Sequence, residues 1–114
     1  MAVTKRVMRI LRERDAHCWH CGQTEDLVPH HRKNKAMGGS KVLENDIQNI
    51  ILVCARYNGD MESNALVRRD AVGWGRKVPF WEDISMPVFD SVTFRWYVLD
   101  SDGGKVEIDV GDTF

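Results

Sequence analysis

The stretch "LVPHHRKNKAMGG", residues 27–39, sets two histidines side by side after a short apolar run and follows them with three cations and two glycines. The apolar run predicts a short β-strand that ends near the histidines, and the residues after it predict a polar loop. Successive side chains of a strand point to opposite faces, so we expect His30 and His31 to have different roles. A neutral imidazole near pH 7 serves both as a general base and as a ligand for divalent cations.

A second strand and a helix are predicted to follow this loop. The segment "IQNIILVC", residues 47–54, is more apolar and predicts a strand that pairs with the first in a hairpin with a long connection. Residues 58–72 predict one helix that ends at Gly73, a residue typical of helix C-caps. The apolar positions near one face of this helix are Met61, Ala65 and Val72. The local order is therefore strand, loop, strand, helix.

The predicted helix also offers metal ligands. Asn58 and Glu62 lie at positions i and i+4, so they share one helix face about a turn apart. Together with His30 they would form a mixed oxygen and nitrogen site for one divalent cation. Such a donor set favours Mg²⁺ or Mn²⁺, although Zn²⁺ or Ni²⁺ could also be held.

Basic residues gather in the N-terminal third of the chain. Residues 1–41 contain nine lysines and arginines and four acids, whereas the rest contains seven and thirteen. Thr4 is expected to cap a helix that runs through about Arg14 and exposes a basic face. This segregation, with a net charge of −1, suits a protein that presents one face to phosphates.

Three cysteines are present, two of them in the CxxC pair of Cys18 and Cys21. An odd count with this spacing suits a reducing compartment and a metal better than a disulfide framework. The turn is predicted to be of the zinc-knuckle kind, in which Gly22 lets the backbone fold back towards the metal. The third cysteine, Cys54, ends the second predicted strand.

The C-terminal part is predicted to be β-rich. "SVTFRWYVLD", residues 91–100, and "KVEIDV", residues 105–110, are separated by a glycine-containing turn and predict a hairpin. We expect three aromatic residues of this part to pack in the core or on the sheet rather than to stack on DNA. They are Trp81, Phe94 and Trp96.

The 114 residues suffice for one domain, which we expect to be α+β. No stretch approaches the roughly 20 apolar residues of a membrane span. The N-terminus "MAVTKRVMRILRER" has charges where a signal peptide would be apolar. We therefore expect an intracellular, cytoplasmic protein without a membrane partner.

The order of these motifs resembles the HNH endonucleases, a family with the ββα-metal fold. The match covers residues 17–74, and the later "PVF" and "WYVLD" are similar to the tail of phage and actinobacterial members. The residues that carry it are, after the CxxC pair, Leu27, His30, His31, Arg32, Gly38, Gly39, Asn49, Cys54, Gly73 and Trp74. The resemblance implies a single domain with a basic helix over 1–16, the CxxC turn and a ββα-metal core over 17–74, and a β-rich tail over 75–114.

The resemblance also implies a role for each site residue. His31 corresponds to the general base and Asn49, with Asn45 as the fallback, to the residue that holds the hairpin loop and helps to orient the base. The chain is then an HNN variant, because an asparagine stands at the last signature position. The implied ligands of the catalytic cation are His30, Asn58 and Glu62.

The sequence departs from the family at its structural zinc site. Members of this type have a second CxxC, but Tyr57 stands where the fourth cysteine is expected. Tyrosine is a poor zinc ligand, since its phenol has a pKa of about 10. Three outcomes stay open: His17 or His20 completes a Cys₃His site, water fills the fourth position, or zinc is absent and the cysteines are only packed.

The function implied is a metal-dependent DNA endonuclease whose products carry 5′-phosphate and 3′-hydroxyl ends. A DNA phosphate is expected to dock on Arg32, Lys33 and Lys35. One alternative is a catalytically inactive DNA-binding or phage packaging-accessory module, which extends the expected partners to packaging proteins in an infected cell. The other is a zinc-knuckle interaction domain in which the histidine pair joins the cysteines as zinc ligands.

Overall fold

The chain combines helices with two small antiparallel sheets. The structure is a computed structural model, and it describes residues 3–33 and 45–109. Its α-helices are α1 (Lys5–Arg14), α2 (Ala55–Ser63) and α3 (Ala65–Gly73), and its strands are β1 (Leu27–His31), β2 (Ile50–Cys54), β3 (Val88–Asp90), β4 (Arg95–Leu99) and β5 (Lys105–Ile108). β1 pairs with β2, while β3, β4 and β5 form the second sheet in that order. The described residues are therefore a small α+β domain, as the sequence predicts.

Helix α1 begins and ends where the sequence predicts. The Thr4 hydroxyl accepts a hydrogen bond from the Val7 amide at 3.2 Å and so caps the helix. Val7 and Leu11 are buried in one cluster with apolar residues of β2. The exposed basic face is made of Lys5, Arg6, Arg9 and Arg12. Arg14 does not belong to it, because its buried guanidinium pairs with Asp15 at 2.7 Å.

The β1–β2 hairpin separates two hydrophobic clusters. Its register pairs His30 with Ile51 and His31 with Ile50. Directly opposed residues of an antiparallel pair share a face of the sheet. Ile51 packs in the cluster that includes residues of α2, α3 and the second sheet, whereas Ile50 packs with α1. The two histidines therefore lie on opposite faces, as expected, with His30 on the α2 side.

The predicted single helix over residues 58–72 is two helices. The break falls at Asn64, whose side-chain oxygen accepts hydrogen bonds from the Leu66 and Val67 amides at 2.9 and 3.2 Å. An asparagine that bonds backbone amides in this way ends one helix and caps the next. The changed direction leaves Ala65 exposed rather than on the apolar face, and Ala71 is buried instead.

The expected C-cap glycine is also displaced. Gly73 is the last residue of α3, and Trp74 is the C-cap. The left-handed residue is Gly75, with φ of 71°. A Cβ added at Gly75 would lie 2.0 Å from the Pro87 carbonyl oxygen, so this position requires glycine.

The predicted C-terminal hairpin is confirmed by the pairing of β4 with β5, and β3 adds a third strand. Trp96 is half-buried and its ring lies near that of Phe89, as expected for a packed aromatic residue. The expectation is wrong for Trp81, which is 70% exposed, whereas the 75% exposed Phe94 packs its ring edge-on against Phe89 of β3 at 5.1 Å. Phe94 lies in the β3–β4 turn with φ of 59°, and Trp81 lies in the exposed segment before β3.

Candidate functional site

Residues suited to chemistry lie at both ends of the β1–β2 hairpin, which are about 13 Å apart along the strands. Leu27 faces Cys54 at one end, and His31 faces Ile50 at the other. The cysteine end consists of Cys18, Cys21 and Cys54. The histidine end consists of His30, His31, Asn49, Asn58 and Glu62.

His30 is buried and held by the backbone. Its Nε2 lies 2.8 Å from the carbonyl oxygen of Arg76. A carbonyl only accepts, so Nε2 carries the proton and Nδ1 is the ring nitrogen with the lone pair. The Asn58 side chain also hydrogen-bonds His30. The structure thus brings two of the three predicted ligands of the catalytic cation together.

The surroundings of His30 keep its ring neutral. Burial lowers the pKa of His30 to about 4, and the electrostatic effects of Lys77 and His31 act in the same direction. The hydrogen bonds with the Arg76 carbonyl and Asn58 oppose this shift without cancelling it. A neutral imidazole is the form that binds metals.

Asn49 fastens the chain immediately after His31. Its side-chain oxygen accepts from the Lys33 amide, and its side-chain nitrogen donates to the Lys33 carbonyl, both at 2.9 Å. The Asn49 carbonyl accepts from the Arg32 amide at 2.7 Å. We call these three hydrogen bonds the Asn49 clasp. The clasp fixes the end of β1, while the His31 side chain stays half-exposed.

Glu62 has a protein cation beside it. Its carboxylate lies 3.5 Å from the Lys77 ammonium, and the Lys77 side chain is only 3% exposed while that of Glu62 is 63% exposed. Lys77 is also close enough to His30 to lower the pKa of that ring. The predicted metal ligands are therefore accompanied by a buried positive charge. Sequence reasoning missed Lys77, since it lies far from the motifs along the chain.

Arg32 lacks the exposure that the predicted phosphate contact requires. It is fully buried, and its guanidinium donates to the carbonyl oxygens of four residues. These are Gly75 at 2.9 Å, Gln48 at 3.2 Å, Ile84 at 2.9 Å and Met86 at 2.7 Å. Burial lowers its pKa to about 10, and Arg14 adds to the shift, so the group stays charged at neutral pH. Its role is to join the end of β1 to the segment before β3.

Of the other two predicted phosphate contacts, Lys33 and Lys35, the structure describes only Lys33. Lys33 is half-buried, and its ammonium donates to the carbonyls of Phe80 at 3.3 Å and Glu82 at 2.8 Å. It stays a candidate for phosphate binding at the edge of the histidine end. Lys35 lies outside the described residues, as do Gly38 and Gly39.

At the cysteine end the three cysteines meet. Their sulfur atoms all lie within 4.8 Å of one another, and those of Cys21 and Cys54 are 3.8 Å apart. Zinc–sulfur bonds of about 2.3 Å put tetrahedral ligands about 3.8 Å apart. The cluster could therefore hold one metal ion.

Backbone amides support negative charge on these sulfurs. The His20 amide donates to Cys18 Sγ at 3.3 Å, and the Tyr57 amide donates to Cys54 Sγ at 3.4 Å. Burial raises the pKa of Cys21, but hydrogen bonds from Gln23 and from the other two cysteines outweigh it and leave the pKa below its ordinary value. Burial and Cys18 raise that of Cys54. Amide donors and one acidified thiol are features of thiolate sites.

The histidines predicted as alternative fourth ligands have other partners. His17 Nε2 lies 3.2 Å from the Asp90 carboxylate. His20 Nδ1 lies 2.9 Å from an Arg76 nitrogen, and its ring stacks on Tyr57 at 3.9 Å. Among the described residues, only the three cysteines form a cluster of the metal-binding kind. The histidine pair lies at the far end of the hairpin and does not join them.

Arg76 links the two ends and was also missed by sequence reasoning. Its carbonyl holds His30, while its buried guanidinium contacts His20, Tyr57 and Ser91 and the carbonyls of Trp19 and Phe89. The only sequence signal is its place after the glycine turn that follows α3. No motif marks an arginine in such a segment as buried.

Comparisons with known proteins identify no family for this chain. No protein-family model, no curated protein and no solved structure matches it. The resemblance to HNH endonucleases therefore stays a prediction. None of the helices in the described ranges is long and apolar enough to cross a membrane.

Proposed function

We propose that this chain is a DNA endonuclease of the ββα-metal type, in which β1, β2 and α2 form the core. In this proposal His31 is the general base, and one divalent cation, Mg²⁺ or Mn²⁺, is bound beside it. The reaction is the hydrolysis of a phosphodiester bond that leaves 5′-phosphate and 3′-hydroxyl ends.

The observation that carries the proposal is the Asn49 clasp. A general base must be held in place and still be accessible to the water that it deprotonates. The clasp holds the two residues after His31, and the His31 side chain stays half-exposed. A buried asparagine with both amide atoms on one backbone segment gives the end of β1 a single position. His31 would then accept a proton from a water in line with the scissile bond.

The cation would be held by three side chains of the histidine end. They are the Asn58 amide oxygen, the Glu62 carboxylate and Nδ1 of His30. Two oxygen donors suit a hard cation such as Mg²⁺. Bound there, a cation neutralises charge on the phosphate and stabilises the leaving oxygen. It must compete for Glu62 with the Lys77 ammonium, which lies 3.5 Å away.

Positive charge on the His31 side of the hairpin supports DNA as the substrate. Helix α1 packs on the face that carries Ile50, which is also the face of His31. Four exposed cations of α1 therefore lie on this side, and Lys33 lies near the end of β1. Phosphate contacts of this kind bind with little sequence preference and weaken steeply with salt. We expect nicking to fall as the salt concentration rises.

The cysteine end would hold one Zn²⁺ ion. The ion would join the CxxC turn to the start of α2, and its binding free energy would add to folding stability. The sulfur spacing and the amide donors to sulfur support this assignment.

A plasmid assay tests the endonuclease. Purified protein is incubated with supercoiled plasmid in Mg²⁺, Mn²⁺ or EDTA, alongside the His31→Ala variant and the matched control His17→Gln. We expect nicking by the wild type and by His17→Gln in Mg²⁺ or Mn²⁺, and none in EDTA. Wild-type rates for His31→Ala would remove His31 as the base.

A second function is favoured by one observation, the buried Lys77 beside the predicted ligands. If its ammonium takes the place of the cation, the chain is a DNA-binding module without catalysis. Such a module retains its affinity for a DNA duplex in EDTA and never nicks plasmid, which a gel-shift and the plasmid assay together would reveal.

A further inference from the structure

Among the described residues, the cysteine end has three sulfur ligands, and no other His, Cys, Asp or Glu ligand atom groups with them. All three cysteines and all four histidines of the chain lie within the described residues. His17 is bound to Asp90, and His30 and His31 lie at the other end of the hairpin. The residues left near the cluster are Tyr57, His20 and Asp60, and the Asp60 carboxylate does not group with the three sulfurs.

Tyr57 is held away from metal coordination. Its side chain is buried, and its hydroxyl accepts a hydrogen bond from Arg76 at 3.3 Å. A phenol that keeps its proton is not a zinc ligand. Tyr57 therefore fills the place of the fourth cysteine without replacing its chemistry.

The His20 ring also has a partner within the domain, again Arg76. Arginine has donors only, so the 2.9 Å contact with Arg76 makes Nδ1 of His20 the acceptor. The neutral ring then carries its proton on Nε2 and has no second lone pair to offer a metal. Stacking on Tyr57 further fixes the ring.

A pocket opens on the sulfurs. Its lining includes Cys21 and Cys54, with His20, Tyr57, Arg56 and Asp60 around them. Its volume of about 570 Å³ is ample for a small molecule. An ion bound by the three thiolates would therefore be reached from solvent through this pocket. Arg56 and Asp60 put one charge of each sign at the lining, so the affinity of a thiophilic ion for sulfur, rather than the charge of the pocket, selects the ligand.

We propose that the cysteine end binds one thiophilic metal ion of the Zn²⁺ class through three thiolates and leaves the fourth position to an exchangeable small thiol from solution. The incoming thiol loses its proton to solvent and forms a metal–sulfur bond, displacing a water. The site is then an open metal centre rather than a closed structural one. This inference does not depend on nuclease activity.

Cobalt spectroscopy tests the open position without DNA. Co²⁺ is bound to the full chain, and 2-mercaptoethanol is titrated while the absorption of the cobalt is recorded. We expect one Co²⁺ per chain, a saturable change of the spectrum, and a rise in sulfur-to-cobalt charge-transfer intensity as a fourth thiolate joins three. A spectrum that does not respond to thiol, or the absence of 1:1 binding, would overturn the proposal.

Three variants make the result specific. Tyr57→Cys supplies the fourth thiolate from the chain, so its cobalt spectrum should resemble that of the thiol-saturated wild type and ignore added thiol. Tyr57→Phe keeps the ring in the core and should respond like the wild type, which keeps the test decisive even if Tyr57→Cys does not fold. His20→Ala should also respond like the wild type. If only His20→Ala responds, His20 closes the site and the proposal is wrong.

Discussion

The two ends of one short hairpin differ in how their candidate ligands are occupied. At the cysteine end the sulfurs face one another and a pocket, and they receive hydrogen bonds mainly from backbone amides. At the histidine end His30 already binds a backbone carbonyl, and Glu62 faces a lysine. The first end is arranged around the space for an ion, whereas the second has its own cation beside it.

The spacing of motif residues in the sequence therefore does not indicate whether their side chains are free to bind an ion in the structure. The CxxC turn and Cys54 are brought together by local structure and by the strand register. The histidine end is completed by Arg76 and Lys77, which come from beyond α3. Its chemistry therefore depends on residues that no motif includes.

The largest expected effect is a pH dependence of folding stability that arises at the histidine end. In metal-free protein the folded pKa of His30 is about 4 against 6.5 in the unfolded chain, so between these values only the unfolded chain binds the proton. Stability is therefore highest above pH 6.5 and falls by on the order of 3 kcal/mol as pH approaches 4. Urea unfolding in EDTA across this range measures it. The matched variant His30→Gln should lack this part of the pH dependence, and identical slopes for both proteins would contradict a neutral, buried His30.

The next effect is a loss of Zn²⁺ affinity at the cysteine end that leaves plasmid nicking unchanged. Cys21→Ser removes an exposed thiolate and should weaken Zn²⁺ binding by at least about 100-fold, because a direct ligand is lost. Competition with a zinc chelator measures the affinity. Plasmid nicking at saturating Mg²⁺ should stay close to the wild-type rate. A parallel loss of nicking would mean that the two ends are coupled.

A smaller effect is expected when the Asn49 clasp is cut. Asn49→Ala leaves the Lys33 amide and carbonyl without these partners and should cost about 2 kcal/mol of unfolding free energy. It should also reduce nicking, since the end of β1 loses its fixed position. Asn45→Ala is the matched control, because the Asn45 side chain accepts from the exposed Thr4 amide instead. Equal nicking by both variants would argue against the clasp as the support of His31.

The smallest expected effect is a change in the Mg²⁺ requirement when the charge of Lys77 is removed. Lys77→Met keeps the length of the side chain and removes the charge beside Glu62. We expect the Mg²⁺ concentration for half-maximal nicking to fall by about tenfold, since a competing charge is gone. Glu107→Gln, which alters an exposed ion pair of the second sheet, serves as the control. An unchanged or higher Mg²⁺ requirement would mean that Lys77 assists the site.

Much of the fold could be predicted from local patterns. Thr4 capping α1, the two strands around the histidine pair and the β4–β5 hairpin depend on residues close in sequence, and all were found. The break at Asn64 was missed, because a helical pattern continues through it and only its side-chain hydrogen bonds reveal a new cap. Local sequence patterns determine secondary structure correctly where tertiary contacts do not oppose them.

The candidate site was harder to predict because its arginines are buried. Sequence reasoning took Arg32 as a phosphate contact, whereas its guanidinium and that of Arg14 bind carbonyl oxygens inside the domain. Charge alone does not distinguish a surface arginine from one that joins loops. The carbonyls that hold Arg32 lie up to 54 positions away, so their convergence is a property of the tertiary structure.

The most direct test of the account compares wild type with His31→Ala on supercoiled plasmid in Mg²⁺ or Mn²⁺, with folding of both proteins checked by circular dichroism. A general base contributes about 10²- to 10⁴-fold to the rate. We expect metal-dependent nicking by the wild type and a nicking rate that is lower by this factor in His31→Ala. A folded wild type that never nicks DNA, or a variant that nicks as fast, would contradict it.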